Sequence, residues 1–154
     1  EELGRAAQQN NVFISSTVFT NFPEYRADRG LPELLWGQLI FLDQLLETAI
    51  RCKVSAIQSI DLPSYSGHTL STNDPAFLYE IPLRVELTGS MASISKLLAS
   101  LPLRAEEMKT AHLPEANVDK PALFVHRFIL TKSSPENPDE AHLDLRACGF
   151  VYRD

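Results

Sequence analysis

The sequence predicts an α+β fold, with two helices packed on one face of an antiparallel sheet, and three observations predict it. In two segments apolar residues return every three or four positions, the spacing that stacks them on one side of a helix. In other segments, above all residues 77–88, they alternate at every second position, as half-buried strands do. The two periods follow one another in the order helix, strand, strand, helix, strand, strand.

The first helix is predicted over residues 31–53. Leu35, Leu39, Leu42, Leu46 and Ala49 recur at alternating steps of four and three, and Leu34, Phe41, Leu45 and Ile50 widen that face. Pro32 suits the first helical turn, where a missing N–H is harmless. Gly37 weakens the helix by about 1 kcal/mol relative to Ala and is expected where the helix packs closely on a strand. A strand over residues 54–63 follows, with Val54, Ala56, Gln58 and Ile60 on one side and Ile57 and Ser59 on the other. Residues 63–76 have loop composition.

Residues 77–89 carry the clearest strand. Phe77, Tyr79, Ile81, Leu83, Val85 and Leu87 share one face, and Pro82 is expected at a bend, a bulge or an unpaired position. The period then lengthens: Met91, Ile94, Leu97, Leu98 and Leu101 form a helical stripe, with Ser90 as N-cap and Pro102 as stop. Residues 102–122 read as a long polar connection with a helical turn around Glu106 to Lys109. Strands at 123–132 and 142–153 close the chain, the latter with Leu143, Leu145, Ala147, Gly149 and Val151 on one side.

Ahead of these elements, residues 1–10 read as the end of an upstream polar helix, and 11–30 as a leading strand, NVFISS, and a loop. All 154 residues are expected to form a single domain. The α-β-β-α-β-β order suits a ferredoxin-like arrangement, in which residues 54–62 and 123–132 would be the edge strands.

Composition narrows the function. The formal charge is −6, and the 14 Lys and Arg residues never form a run. Affinity for phosphate backbones needs clustered cations, so no nucleic-acid partner and no polybasic membrane patch is expected. Cys52 and Cys148 cannot define a disulfide framework; one bridge or two small buried thiols are both open. No apolar stretch reaches the roughly 18 residues needed to span a bilayer. Because the chain starts at Glu1 and not Met, a processed or trimmed protein is expected, with any membrane anchor upstream.

Reactive groups are scattered. His68, His112, His126 and His142 have no metal-ligand spacing, and nucleophile and phosphate-binding motifs are missing. His68 and His112 are expected in solvated loops, and His126 as a structural imidazole on an apolar strand. The adjacent pairs Glu106 with Glu107, and Asp139 with Glu140, lie in polar segments that do not raise a carboxyl pKa. No catalytic residue, metal or cofactor is therefore expected. An enzyme would require His126, His142 and carboxylates to converge.

One strand stands out. Phe124, His126 and Phe128 share a face by parity, with Leu130 next in that series. If residues 123–132 lie at the sheet edge, Phe124, His126, Phe128 and Leu130 are candidates for a dimer or partner surface.

The stretch IPLRVELTGSMASISKLLASLP joins a Pro-containing alternating strand, a terminal Gly and a short helix that starts on an apolar residue. Together with NNVFISS, LLWGQLIFLDQLLETAIRCKVSAIQSIDLP, FVHRFILTKSS and LDLRACGFVYR, it resembles the PilO/GspM group over residues 8–153. These are inner-membrane platform proteins of type IV pili and type II secretion. The resemblance implies a periplasmic domain of the same element order, with a membrane helix and coiled segment upstream. It also implies homodimers or heterodimers with sister subunits, and it transfers no catalytic, metal, cofactor or contact residue. The rival reading is a small-molecule-binding regulatory domain, with residues 63–76 and 102–122 forming a pocket.

Overall fold

The structure, a computed structural model, describes residues 2–18 and 31–153. The expected loop at 19–30 lies outside the described residues. Among those described, four helices and one six-stranded sheet make a mixed α+β fold. The helices are α1 (Glu2–Gln9), α2 (Pro32–Arg51), α3 (Met91–Ser100) and α4 (Ala105–Thr110). The strands are β1 (Phe13–Ile14), β2 (Ala56–Asp61), β3 (Ser66–His68), β4 (Leu78–Ser90), β5 (Phe124–Lys132) and β6 (Glu140–Tyr152).

The sheet order is β1-β2-β4-β6-β5, with β3 pairing to β4. β4 and β6 run antiparallel over thirteen residue pairs, from Leu78↔Tyr152 to Ser90↔Glu140, and form the centre. Every pairing is antiparallel except one: the two-residue β1 lies parallel to β2 and covers part of what sequence reading left as a bare edge. The segment at 63–76 is not all loop, because β3 pairs with Leu78–Glu80. Since β6 occupies one side of β4, β3 and β2 share the other, at Leu78–Glu80 and Arg84–Thr88 respectively. Pro82 falls in the interval between them, where no neighbour on that side asks for its missing N–H.

α2 and α3 cover one face of β4 and β6. Ile81, Leu83, Val85 and Leu87 of β4 and Leu143 and Leu145 of β6 are fully buried beneath them, as the period of two predicts. α2 buries most of its expected face. Leu42, Leu46 and Ala49 are buried together with Leu34, Phe41, Leu45 and Ile50, and the buried line continues through Gly37 and Thr48, while Leu35 is half-buried and Leu39 is exposed. Two glycines let the helix pack closely on the sheet. A Cβ on Gly37 would come within 2.7 Å of Val151 Cγ2, and one on Gly149 within 2.5 Å of the Phe41 ring. The absence of both side chains lets helix and strand approach along this line.

β2 departs from simple alternation. Ile57 pairs with Leu87 and Ser59 with Glu86, so Gln58 is an extra residue, a β-bulge. The bulge turns Ile57 and Ile60 both into the core, although parity places them on opposite sides. Ser90 caps α3 as expected, its Oγ accepting a hydrogen bond from the Ser93 N–H at 3.1 Å.

The connection after α3 hides a charge. Lys120 is 3% exposed, and its Nζ donates to the carbonyls of Leu101 (3.1 Å), Leu103 (2.6 Å) and Pro121 (3.3 Å). Leu101 is the C-cap of α3, the end of the helix dipole that favours a cation. All three ammonium protons are thus engaged, and burial still pushes the group down to about 8.

Candidate partner-binding surface

β5 pairs with β6 on one side, and no strand among the described residues pairs with the other. All nine of its residues are exposed except Val125, which is half-buried. Four of them are large and apolar: Phe124 (49%), Phe128 (48%), Ile129 (44%) and Leu130 (37%). The sequence shows a strand apolar on both faces, which commonly means burial on both faces. Here α2 and α3 lie over β4 and β6, and β5 extends beyond them.

The four candidate residues do not share a face. Val125 pairs with Ala147 and Arg127 with Arg146, which leaves His126 as the extra residue of a second bulge. Before the bulge, Phe124 is in register with Cys148; after it, Phe128 is in register with Leu145 and Leu130 with Leu143. Leu143 and Leu145 face the helices, whereas Cys148 stands on the opposite, open face with Arg146 and Asp144. Phe124 therefore belongs to the open face, and Phe128 and Leu130 to the helix side. His126 lines an open-face cleft of about 430 Å³ with Arg84, Arg146 and Cys148; it is exposed and not a core imidazole. Parity along a strand survives only while its pairing is regular, and a single inserted residue reverses it. Phe124 also packs edge to face on Phe150, with ring centroids 5.7 Å apart.

The rest of the open face is ionic. Arg84 grips Asp144 through Nε to Oδ1 (3.0 Å) and Nη2 to Oδ2 (2.9 Å), and Nη2 also donates to Glu86 at 2.9 Å. The hydrogen bonds from Arg84 hold the Asp144 carboxyl below the usual carboxylate range. His142 Nε2 lies 3.8 Å from Glu86, and His68, on β3 and not in a loop, lies 3.4 Å from Glu80. His126 bulges between the pairs made by Ala147 and Arg146, four to five residues along β6 from His142, about 13–17 Å at the usual strand rise. The convergence that an enzyme reading would require is not formed by these two. Among the described residues no cluster of three or more His, Cys, Asp or Glu is placed to hold a metal ion.

The thiols are free and buried. Burial, with Glu80 nearby, pushes Cys148 up to about 11, and burial also raises Cys52. Both stay protonated at neutral pH, the reverse of an activated thiolate. Residues of 63–76 and 102–122 contribute to two different clefts, one with Pro63 and Ser66 and another with Arg104, Asp119 and Lys120. A second apolar surface, Trp36, Leu39 and Ile40 beside Leu3, lines the outside of α2. No described helix is long and apolar enough to cross a membrane.

With that geometry in view, the chain is similar to solved structures from Akkermansia muciniphila. One, described as lacking its transmembrane region, matches at TM-score 0.67 and 11% identity, over 99% of this chain and 79% of that one. A core domain from the same organism matches at TM-score 0.64 and 14% identity, over 99% and 81%. At these identities the likeness establishes the shared fold. The type 4 fimbrial biogenesis protein PilO from Pseudomonas aeruginosa is a structural neighbour in the group the sequence resembles. It matches at TM-score 0.44 and 13% identity, over 80% of this chain and 73% of that one, an overlap too small to carry an argument. No family profile and no curated protein matches the sequence.

Proposed function

We propose that this chain is a non-catalytic structural subunit of a cell-envelope pilus or secretion assembly platform, acting by binding sister subunits or a second copy of itself. In this reading it is a single ferredoxin-like, periplasmic domain tethered by an inner-membrane anchor. The sequence resemblance to the PilO/GspM group supports the setting. The Akkermansia structure of the same fold, described as lacking its transmembrane region, supports the tether.

The observation that carries the reading is β5: an edge strand whose outer backbone groups are unpaired by any described strand and whose Phe124, Phe128, Ile129 and Leu130 are exposed on both sides. Such an edge accepts an added strand, with main-chain hydrogen bonds for affinity and side chains for selectivity. Neither a small ligand nor a reaction calls for such a strand. The test is sedimentation of the chain alone and with proteins encoded beside it. Association that protects β5 amides from hydrogen exchange is expected. A strict monomer at high concentration that binds none of those proteins would overturn the proposal.

A further inference from the structure

Three arginines stand in one row across the open face. Arg84 is directly opposite Arg146, and Arg146 is directly opposite Arg127. Like charges directly opposite on neighbouring strands are destabilising. Arg84 is neutralised by Asp144 and Glu86. Arg127 and Arg146 have no carboxylate within 4.0 Å among the described residues, and both oxygens of nearby Asp144 are held by Arg84. Arg146 feels the charge of Asp144 without a direct contact, and in a chain with 20 acidic against 14 basic residues Arg127 at the exposed edge has no paired carboxylate among the described residues.

We propose that β5 takes an extended acidic segment of another protein, whose carboxylate side chains are received by Arg127 and Arg146. This rests on the reading of β5 as a docking edge and names the chemistry of its partner. On the open face Arg127 stands between the bulged His126 and the exposed Ile129, so the complementary strand presents an acid with an apolar residue at the alternate position that meets Ile129.

A second copy fits poorly. β5 reads FVHRFILTK and contains no Asp or Glu, so no register of β5 on β5 brings an acid to Arg127. Antiparallel pairing centred on Phe128 would set the two Arg127 side chains diagonally across from each other, with Arg146 of each copy behind them. Bulges and charges are also how edge strands are protected from indiscriminate pairing. Blunting alone would not leave Phe128, Ile129 and Leu130 exposed in succession after the cation, and the two accounts predict different binding.

The experiment is an NMR titration of the isotope-labelled chain with two capped nine-residue peptides. Each has Val and Thr at alternate positions, with either Glu or Lys at the centre of the Val face. The Glu peptide is expected to shift β5 amides and to bind roughly tenfold more tightly than the Lys peptide. The gap should shrink as salt screens the charges. Arg127→Glu should reverse the order, and Arg127→Gln, which keeps the polarity without the charge, should bring the two peptides together. Equal binding of both peptides at β5 overturns the acidic partner and leaves the docking edge standing. If neither peptide moves β5 amides, the edge is merely blunted and both readings fall. Self-association that shifts β5 amides on dilution would make a second copy the occupant and overturn this proposal alone.

Discussion

β5 and β6 are neighbours paired over eight residues, yet the two strands live in different solvents. Leu145 and Leu143 on β6 are fully buried, while Phe128 and Leu130, in register with them on the same side of the sheet, are 48% and 37% exposed. The difference is not in residue type, since all four are large and apolar. α2 and α3 lie over β6 and stop short of β5. Apolar character states what a side chain would gain from burial, and the neighbouring element decides whether that gain is taken up by folding or kept for association.

The comparison breaks first at Leu145. Leu145→Ala should destabilise the chain by about 2–5 kcal/mol in urea unfolding, through lost burial and a cavity. Phe128→Ala, although it removes a larger side chain, should change the isolated chain by less than about 0.5 kcal/mol and weaken partner binding instead. Equal losses at the two positions would mean that β5 is covered.

On the covered side, Lys120 tests how a buried charge is tolerated. Its pKa of about 8 lies below the ordinary value of 10.5, so between those pH values the unfolded chain binds a proton that the native chain does not. The stability of the chain relative to Lys120→Met should therefore rise as pH increases from 8 to 10.5, by at most about 3 kcal/mol. A flat difference over this window, with a fall only above pH 10.5, would show that the carbonyl cage outweighs desolvation. Parallel denaturant titrations of both proteins supply the measurement.

Helix approach is sharpened at Gly149. Gly149→Ala places a methyl group against the Phe41 ring and should cost about 1–3 kcal/mol, read as a lower urea midpoint with an unchanged slope. The smallest effect has the opposite sign. Arg127→Glu replaces a like-charge pair with an attractive one across from Arg146, and should stabilise the isolated chain by about 0.2–1 kcal/mol. That gain should fade in high salt, which thermal melts at two ionic strengths would show.

Much of the central fold was legible in the residues, and the candidate surface only in part. The alternation from Ile81 to Leu87 and from Leu143 to Ala147 marked the buried faces of β4 and β6, because a strand covered on one side records that fact at every second position. Ser90 announced the start of α3 through the chemistry of its hydroxyl, and Gly37 announced close packing. The bulges at Gln58 and His126 left no such mark, since no residue type is required there; the second divided Phe124 from Phe128 and Leu130. β3 was missed because Ser66–His68 carries no apolar pattern and owes its form to pairing with β4. Lys120 was read as part of a polar connection, and only folding shows the three carbonyls it serves.

What the sequence determined by itself are the local properties: which stretches coil, which extend, where α3 is capped, and which face of β4 and β6 prefers to leave water. Tertiary structure alone decided how far the helix layer reaches, which residue each strand meets, and that three arginines fall in one row. The reason is one of distance. Periodicity is set by neighbours within a few positions along the chain, whereas coverage and register depend on residues brought together from far apart, such as Arg84, Arg127 and Arg146.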